Sequence, residues 1–558
     1  MVRATFSGFN TALSALQANQ KRLDITGQNL SNMNTAGYTR QQLEASSLNY
    51  TNPVSHYSNG NETAVGFGVS MNRVSQIRDP YLDIQYRSQS ADCSYTNRLQ
   101  TALNSLSKVL DETTISGIRQ AFDDVQSTLT SMQDPAKVSD PIYESELRTK
   151  MQSVCNLFNQ ASRQITQAEQ NEFQRLTGEG SSEQGDVQKI NDILRQIGDL
   201  NVQIKRNQVA GHPSLELQDE RNLLLDELSG YIPVETRYYK DVAHSGNNAY
   251  DYDANGAVIG KKDWPDDLEV SMNYIDAQGK SQKLILVNGS DLGTDGLTKN
   301  YGQLSVLKGD RQTAASVSDP ANISIKFEKA PSYNGNGQAA ADVYAELKGI
   351  HFEGGSLQAS LDMLQKKGTG NVIQGSTAVD DVRGYQYYSE KLDQLASTFA
   401  NSMNDINNNG KNPKDQNLLS NSTNDSTTGI TAGNIGISKG WTSGTVHIST
   451  NGTNRTDTVL DMIAAMKDTK KLNGKTFADF MNNLSTQLAS DSSSNQTALK
   501  TGTTVLNSIQ DSRDSLSGVS LDEEATNMMT YVSAYNAASR LMTALDEVLN
   551  TLISNTGA

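Results

Sequence analysis

Aromatic residues and cysteines are scarce in this chain of 558 residues, where Phe, Trp and Tyr together make up 6% and only two cysteines occur. Two thiols cannot build a disulfide framework, so Cys93 and Cys155 are expected to be small, partly buried core residues. Hydrophobic residues account for 36% of the chain, a lean share for an enzyme but more than a disordered chain contains. The composition favours an elongated protein of several domains with thin cores.

Long apolar runs and an excess of positive charge are also missing. No run of 18 apolar residues occurs, so no transmembrane helix and no membrane partner are predicted. The net charge of −16, without a basic patch, argues against nucleic acid as a partner. The first thirty residues contain neither the apolar core nor the cleavage site of a signal peptide, so no ordinary secretory signal is predicted.

Recognisable catalytic and metal-binding motifs are absent from the sequence. The five histidines are scattered, and no HExxH, CxxC, phosphate-binding loop or GxSxG motif occurs. Residues 251–256 and 405–410 begin like EF-hand calcium loops, but the twelfth positions are Lys262 and Gln416 instead of glutamate. The sequence therefore predicts no enzyme, no cofactor and no metal.

A regular apolar pattern is present at each end of the chain. The N-terminal seam has alternating spacings of 3 and 4, which place its residues on one face of a helix. It consists of Phe6, Phe9, Leu13, Leu16, Gln20, Leu23, Gly27 and Leu30. The C-terminal seam follows the same rhythm, with Leu521, Ala525, Met528, Val532, Tyr535, Ser539 and Met542. A second stripe runs through Ala538, Leu541, Leu545, Val548 and Leu552.

These seams need a partner helix, and the simplest partners are the other end of the chain or another copy. A single long helix with one apolar face gains too little from burial to offset its ordering entropy. We therefore expect both ends to order on assembly, with Gln20 fixing the register and Gly27 permitting close approach by a neighbour. An ordinary helix pair within one chain is the alternative.

The start of the C-terminal helix is marked by its own signals. Ser520 and Glu523 have the spacing of a capping box, and acidic residues follow at the positive helix end. Gly518, just before this helix, is predicted to be a hinge.

Between the two ends the chain changes from helix to strand and back. Helices are predicted at 5–32, from Pro80 onward, and at 116–132, 141–177, 184–209, 215–231, 377–407, 456–467 and 475–516. Alternating segments at 268–275, 284–288, 323–328 and 343–349 predict an antiparallel β domain, and 408–454 is expected to be loops with a few short strands. The predicted class is mainly α with an inserted antiparallel β domain. The three predicted domains are a terminal helical domain (1–37 with 519–558), a helical middle domain (38–233 with 371–518) and a β-rich outer domain (234–370).

Several segments resemble the bacterial flagellar axial proteins. Residues 12–32, ALSALQANQKRLDITGQNLSN, are similar to the N-terminal signature of that family, and 34–41, NTAGYTRQ, is similar to its members at the hook–filament junction. Residues 518–525, GVSLDEEA, resemble the C-terminal hallmark, with Tyr531 and 534–540 continuing it. Two internal segments agree, 218–222 and 392–404.

This resemblance implies a structural, non-enzymatic protein of the bacterial flagellum. It implies a homo-oligomeric ring that contacts the hook protein on one side and the second junction protein on the other. It also implies type III export and a cytoplasmic chaperone on the apolar face within 521–552. The alternatives are another axial protein of the hook or distal rod, a secreted coiled-coil adhesin, and, as the weakest, an enzyme in the β insert.

Overall fold

The computed structural model describes the greater part of the chain. The described residues are 6–48, 68–110, 112–210, 212–240, 250–252, 258–261, 266–275, 280–289, 299–308, 313–328, 330, 352–371, 380–408, 416–450 and 452–556. Helices dominate, and the strands form small antiparallel sheets. The mainly helical class with antiparallel β structure is therefore confirmed.

Most helices begin and end within a few residues of the predicted positions, but one begins at Tyr385 instead of 377, and Ser356–Gln365 and Lys439–Ser443 were not predicted as helices. The helices are α1 (Phe6–Ser31), α2 (Pro80–Val109), α3 (Glu112–Ser131), α4 (Pro141–Thr177), α5 (Asp186–Val209), α6 (Leu215–Tyr231), α7 (Ser356–Gln365), α8 (Tyr385–Asn408), α9 (Lys439–Ser443), α10 (Asp457–Lys467), α11 (Phe477–Ser517) and α12 (Leu521–Thr556). Asp79 and Asp140 each accept a hydrogen bond from the backbone N–H two residues later, with a proline at the first position of the helix. Both features fix a helix start locally, because they satisfy or remove donors that have no partner within the helix.

Four phenylalanines mark the centre of the helical core. The ring centroid of Phe122 on α3 lies 5.9 Å from Phe158 on α4, 5.2 Å from Phe399 on α8 and 5.7 Å from Phe477 on α11. All four side chains are buried. Because α3 and α4 precede the β segment and α8 and α11 follow it, the two helical halves pack against each other around this cluster.

The strands form one three-stranded sheet and four two-stranded ones among the described residues. They are β1 (Gln41–Ser47), β2 (Val69–Gln76), β3 (Glu235–Lys240), β4 (Tyr250–Tyr252), β5 (Val258–Lys261), β6 (Asp266–Ile275), β7 (Ser281–Asn288), β8 (Gln303–Lys308), β9 (Ile323–Glu328), β10 (Leu419–Asn421) and β11 (Ile435–Ile437). The larger sheet has the order β3–β6–β7, and β1, β4, β8 and β10 each pair with the next strand. The short strands β10 and β11 agree with the expectation for 408–454.

The β segment rests on helix α5 through asparagine side chains. The Asn191 amide donates to Leu304 O at 2.8 Å, and its oxygen accepts from Leu304 N at 2.7 Å. Asn201 donates to Leu268 O at 3.2 Å. These amides satisfy backbone groups of β6 and β8, and they join the sheets to the helical part of the fold.

One element differs from the predicted β domain of 234–370. Helix α7 lies inside that range and packs against the helical part: Tyr95 of α2 donates to Asp362 at 2.8 Å, and Arg98 donates to Ser360 at 2.9 Å. The chain therefore returns to the helical unit before residue 370. The predicted strand at 343–349 lies outside the described residues.

Candidate functional site

The terminal helices α1 and α12 lie antiparallel within one chain. A Cβ atom placed on Gly8 would lie 3.3 Å from a Leu545 methyl group. Further along, Arg22 stacks on the Tyr531 ring at 5.6 Å, and the Asn29 amide donates to Glu524 Oε2 at 3.4 Å. The three contacts share one antiparallel register: moving from Gly8 to Arg22 to Asn29 along α1 advances by the same number of residues as moving back from Leu545 to Tyr531 to Glu524 along α12. The predicted pairing of the two ends is thus present in a single chain.

Small and polar residues line the face that α1 buries. They are Ala12, Ala18, Asn19, Thr26 and Asn29, and Ile25 is the one large apolar side chain buried with them. Such a face buries little apolar area, so the pair gains less from the hydrophobic effect than the phenylalanine core does.

The predicted seams do not form the contact between α1 and α12, and this expectation needs correction. Leu13 is 46% exposed, Leu521 is 53% exposed, and Val532 is 43% exposed. Gln20 and Tyr535 are also exposed, and the remaining described members are mostly half-buried: Phe9, Leu16, Leu23, Gly27, Leu30, Met528 and Met542. In the second stripe, Leu545 packs on Gly8 while Val548 is 57% exposed. The side chains of Phe6 and Leu552 lie outside the described residues.

Helix geometry places both seams on the same side of the pair. At about 100° per residue, each seam lies about a quarter-turn from the residues that contact the other helix. Because the helices are antiparallel, these offsets point the same way. The β1–β2 hairpin contacts α1 from the other side, where Ser14 Oγ accepts from Val69 N at 3.2 Å. We call the shared apolar surface of the two seams the seam face.

Asn29 joins α1 to the first strand. Its amide donates to Gln41 O at 3.0 Å, and its oxygen accepts from Gln41 N at 3.0 Å and from Tyr38 Oη at 2.9 Å. Gly37 turns the chain between them with a φ of 78°, a conformation that glycine adopts without strain. Gly37 therefore redirects the chain from the end of α1 into β1.

Arg40 connects the same segment to the start of α12. Its guanidinium lies 2.8 Å from Glu524 and 2.6 Å from Glu523, and its backbone N–H donates to Ser517 O at 2.9 Å. Glu524 is only 2% exposed. A buried carboxylate requires a partner, so Arg40 fixes the angle at which the terminal pair leaves the rest of the chain.

Thr39 contacts residues 218–222, one of the internal segments that resemble the flagellar axial proteins. Asp219 accepts from Thr39 N at 3.0 Å and from its hydroxyl at 2.6 Å, with Arg78 at 3.8 Å. Burial raises the pKa of Asp219 to about 6, against the lowering effect of these bonds and of Arg78. Three segments that are far apart in sequence, 34–41, 218–222 and 518–525, therefore meet at one place, which we call the junction.

A charged network backs the junction from α2, α6 and α11. Arg513 contacts Asp83 at 3.0 Å and Asp226 at 2.7 Å, and Arg87 contacts Asp226 at 2.7 Å. Burial would raise the pKa of Asp83, but the hydrogen bond and the charge of Arg78 outweigh it and hold the pKa below its usual value. Sequence reasoning missed these arginines, because their partners lie up to hundreds of residues away.

Gly518 occupies the bend between α11 and α12. Its φ of −71° is open to any residue, but a Cβ there would come 2.4 Å from Asp514 O. The predicted hinge therefore requires glycine for space, because the backbone turns back on the last turn of α11. The Glu523 carboxylate, predicted to cap α12, pairs with Arg40.

Asp219 predicts a pH dependence of stability. Its folded pKa lies above the ordinary value, so the native state binds a proton more tightly and this group lowers stability as pH rises from about 4 to 6. Relative to Asp219→Asn, the wild-type unfolding free energy should fall by up to about 3 kcal/mol across that window, at about 1.4 kcal/mol per pKa unit. Urea titrations at several pH values measure the difference.

The control for this titration is Asp83, whose pKa is shifted in the opposite direction. The stability that its carboxylate contributes is lost only as pH falls below about 4, so Asp83→Asn should leave the window from 4 to 6 unchanged. Parallel curves for wild type and Asp219→Asn would contradict the proposed burial of that carboxyl.

Other candidate chemistry finds no support in the described part of the chain. No group of three or more His, Cys, Asp or Glu side chains there could hold a metal ion. No helix there is long and apolar enough to cross a membrane. Cys93 and Cys155 are buried and free, and burial raises the pKa of the Cys155 thiol to about 12. The EF-hand-like segment 251–256 lies mostly outside the described residues.

Comparisons with protein-family models match three parts of the chain. Residues 103–256 match the flagellar hook-associated protein FlgK helical domain. Residues 9–39 match the flagella basal body rod protein model, and 512–555 match the flagellar basal body rod FlgEFG protein C-terminal model. The last two fall on the terminal helices and the junction.

Relatives from several bacteria share similarity with this chain. Flagellar hook-associated protein 1 of Bacillus subtilis (strain 168) is 28% identical over 99% of both chains. Those of Salmonella typhimurium and Escherichia coli (strain K12) are 29% and 28% identical over 40% of this chain, which spans 38% and 39% of their lengths. The structure of the flagellar hook junction protein FlgK from Burkholderia pseudomallei matches 61% of this chain and 44% of its own, at 18% identity and a TM-score of 0.36.

Full-length similarity to a hook-associated protein and flagellar models at both termini agree with the sequence motifs that meet at the junction. The chain is a structural component of the bacterial flagellum, and it is similar over 99% of its length to flagellar hook-associated protein 1.

Proposed function

We propose that this chain assembles through the seam face into a ring that joins the hook to the filament. The observation that carries the proposal is the apolar surface that a single chain leaves uncovered on both terminal helices. Its most exposed members are Leu13, Leu521, Val532 and Tyr535. Burying such a side chain fully is worth about 1.5–3 kcal/mol, so contact between copies would be strongly favoured.

This proposal gives each of the three predicted domains a separate structural role. The terminal helical domain (1–37 with 519–558) would line the ring, and the helical middle domain (38–233 with 371–518) would hold it rigid. The β-rich domain (234–370) would face outward. The hook protein would lie on one side of the ring and the second junction protein on the other, with the junction setting the angle between ring and outer domains.

Export is proposed to occur through the flagellar type III route without a cleaved signal. Helix α12 exposes apolar side chains on more than one side, among them Met529 at 66% and Val548 at 57%. A cytoplasmic chaperone that covers residues 521–552 would keep these surfaces apart before assembly.

The free monomer is expected to show weak protection in its terminal helices. Because α1 buries mainly small and polar residues, hydrogen–deuterium exchange in 6–31 and 521–556 should be much faster than in α4. Within the pair, protection should fall from the junction towards Gly8 and Leu545. Assembly should slow exchange along both helices. Uniform strong protection in the monomer would favour a pre-formed stalk, as in a coiled-coil adhesin.

A substitution at Gly27 is expected to affect the stability of the monomer and the assembly of the ring in opposite directions. A Cβ at Gly27 meets nothing within 4 Å in the single chain, so Gly27→Ala should stabilise α1 by about 1 kcal/mol. If a neighbour packs closely on the seam face there, the same change should weaken assembly. Gly502→Ala in α11 is the matched control, expected to leave assembly unchanged. Normal assembly of Gly27→Ala would rule out a close contact at this position.

The proposed function is tested on hook–basal bodies isolated from a strain that lacks this protein. Purified full-length chain, labelled with gold, should bind at the hook tip in electron micrographs and permit addition of the second junction protein. Binding along the hook, or none, would contradict the proposal. Restored swimming of the strain by the intact gene gives an independent readout.

A further inference from the structure

A cleft opens at the junction, where α2, α6 and α11 meet the start of α12. Its volume is about 740 Å³, and Tyr86 on α2, Leu223 on α6 and Asp514 on α11 are among its lining residues. Leu223 is 46% exposed, and Asp514 is exposed as well. A cavity of this size has room for one or two large side chains of a partner. We call it the junction cleft.

The junction cleft contains a carboxylate with spare capacity for a hydrogen-bond donor. The arginines that line the cleft pair with its carboxylates: Arg40 with Glu523, Arg78 with Asp83, and Arg513 with Asp226. Within the described part of the chain Asp514 forms no salt bridge, and its carboxylate accepts a hydrogen bond from the Gln510 amide at 2.7 Å. A carboxylate has about four acceptor sites, so Asp514 can accept a further donor from a partner.

The opposite side of α2 and α11 carries an exposed apolar surface. Tyr81 is 64% exposed, and it lies two residues before Asp83, so about 200° of helix rotation turns it away from the cleft. Leu516 is 40% exposed and lies two residues after Asp514, so it is turned away in the same manner. The two helices are antiparallel, and Arg513 joins α11 to Asp83 on α2 at 3.0 Å. Tyr81 and Leu516 therefore lie close together, and we call them the knob.

The knob shares one side of the chain with the seam face. Glu523 lines the junction cleft, whereas Leu521 belongs to the seam face. These two residues lie about 200° apart around α12, so the seam face and the cleft are on opposite sides. The knob is also turned away from the cleft, and it therefore continues the surface of the seam face into the middle domain.

We propose that the knob of one copy enters the junction cleft of the next copy. The proposal rests on the proposed ring, and it extends the contact made by the seam face. Knob and cleft use the same turns of α2 and α11, so a neighbour that is rotated without an axial shift brings them together. A contact between two different surfaces is heterologous, and it closes into a ring when the rotation closes.

The chemistry of the two surfaces is complementary. The Tyr81 hydroxyl forms no hydrogen bond within the described part of the chain, and in the cleft of a neighbour it would donate to Asp514. A hydrogen bond to a carboxylate is stronger than one between neutral groups. The Tyr81 ring and Leu516 would cover Leu223 and Met33, which a single chain leaves 46% and 40% exposed. The contact thus buries apolar side chains of both copies.

Cysteine cross-linking between two variants tests the contact. Tyr81→Cys places a thiol on the knob, Leu223→Cys places one in the cleft, and both native cysteines are buried. Within one chain the two positions lie on opposite sides of α2, which excludes a disulfide because its Cα atoms must lie within about 7 Å. The two variants are bound to isolated hook–basal bodies, singly and as an equal mixture, and oxidised.

The expected result is a cross-linked dimer in the mixture and none with either variant alone. Ile142→Cys mixed with Leu223→Cys is the matched control and should give none, since Ile142 is 73% exposed but lies at the start of α4. Tyr81→Phe and Asp514→Ala should each weaken hook-tip binding about tenfold, and their combination should weaken it no further. Thermal unfolding confirms that each variant is folded.

Other outcomes overturn the inference in distinguishable ways. Protein bound at the hook tip without a knob-to-cleft cross-link, or with Tyr81→Cys linked to itself, would show that the ring uses another contact. Additive losses from Tyr81→Phe and Asp514→Ala would show that these side chains do not meet. In both cases the proposed function would stand. Absence of wild-type binding at the hook tip would contradict the proposed function, and this inference with it.

Discussion

Leu13→Asp is expected to abolish assembly at the hook tip while leaving the monomer folded. Leu13 is 46% exposed in the single chain, so aspartate there should change the unfolding free energy by no more than about 0.5 kcal/mol. In the ring the same position would be covered by a neighbour. An unpaired carboxylate buried there costs several kcal/mol for each subunit, which exceeds what a contact of this size can supply.

The measurement pairs hook-tip binding with thermal unfolding. Leu460→Asp is the matched control, since Leu460 on α10 is 45% exposed and lies away from the terminal helices. It should assemble normally. Leu545→Asp is a less clean test, because Leu545 packs on Gly8 and its loss also disturbs the helix pair. Normal attachment of the filament with Leu13→Asp would remove the seam face from the mechanism.

Local signals explain why the helix boundaries could be predicted. Pro141 at the start of α4 and Gly178 at its end, with a φ of 76°, act through their immediate neighbours. The predicted range of α6 agrees with the structure for the same reason, with Pro233 just beyond its end. Helix α7 was missed because it is short and lies between the β segment and α8. Only its packing against α2 and α8 identifies it, and that packing is a tertiary property.

The facing residues of the terminal helices could not be predicted, for a different reason. Apolar residues cover more than half of the circumference of α12, from Val532 through Tyr531 to Leu541. The spacing of apolar residues alone therefore allows several faces of α12 to contact α1. The seams are the faces with the most regular spacing, but they are not the faces in contact. The contact chosen in the structure depends on Asn29, Arg22 and Glu524, whose partners lie at the other end of the chain. The motifs at the junction were recognised individually, but their meeting is a result of the fold.

Arg40→Ala is expected to destabilise the junction by about 3–5 kcal/mol, since it leaves the 2% exposed carboxylate of Glu524 without its charged partner. Because the helix pair buries little apolar area, this loss should open it in most molecules. The readout is exchange in 521–531, which should lose the protection that the wild type shows near the junction.

The control for Arg40→Ala is an arginine–glutamate salt bridge that has the same distance but lies on the surface. Arg73 lies 2.8 Å from Glu44, as Arg40 does from Glu524, but the side chains are 64% and 36% exposed. Arg73→Ala should therefore cost less than about 1 kcal/mol. Adding Glu524→Gln to Arg40→Ala removes the unpaired buried charge and should recover part of the loss. Equal losses of unfolding free energy for Arg40→Ala and Arg73→Ala would mean that burial does not strengthen the Arg40–Glu524 salt bridge. The junction could then not set the angle of the terminal helices.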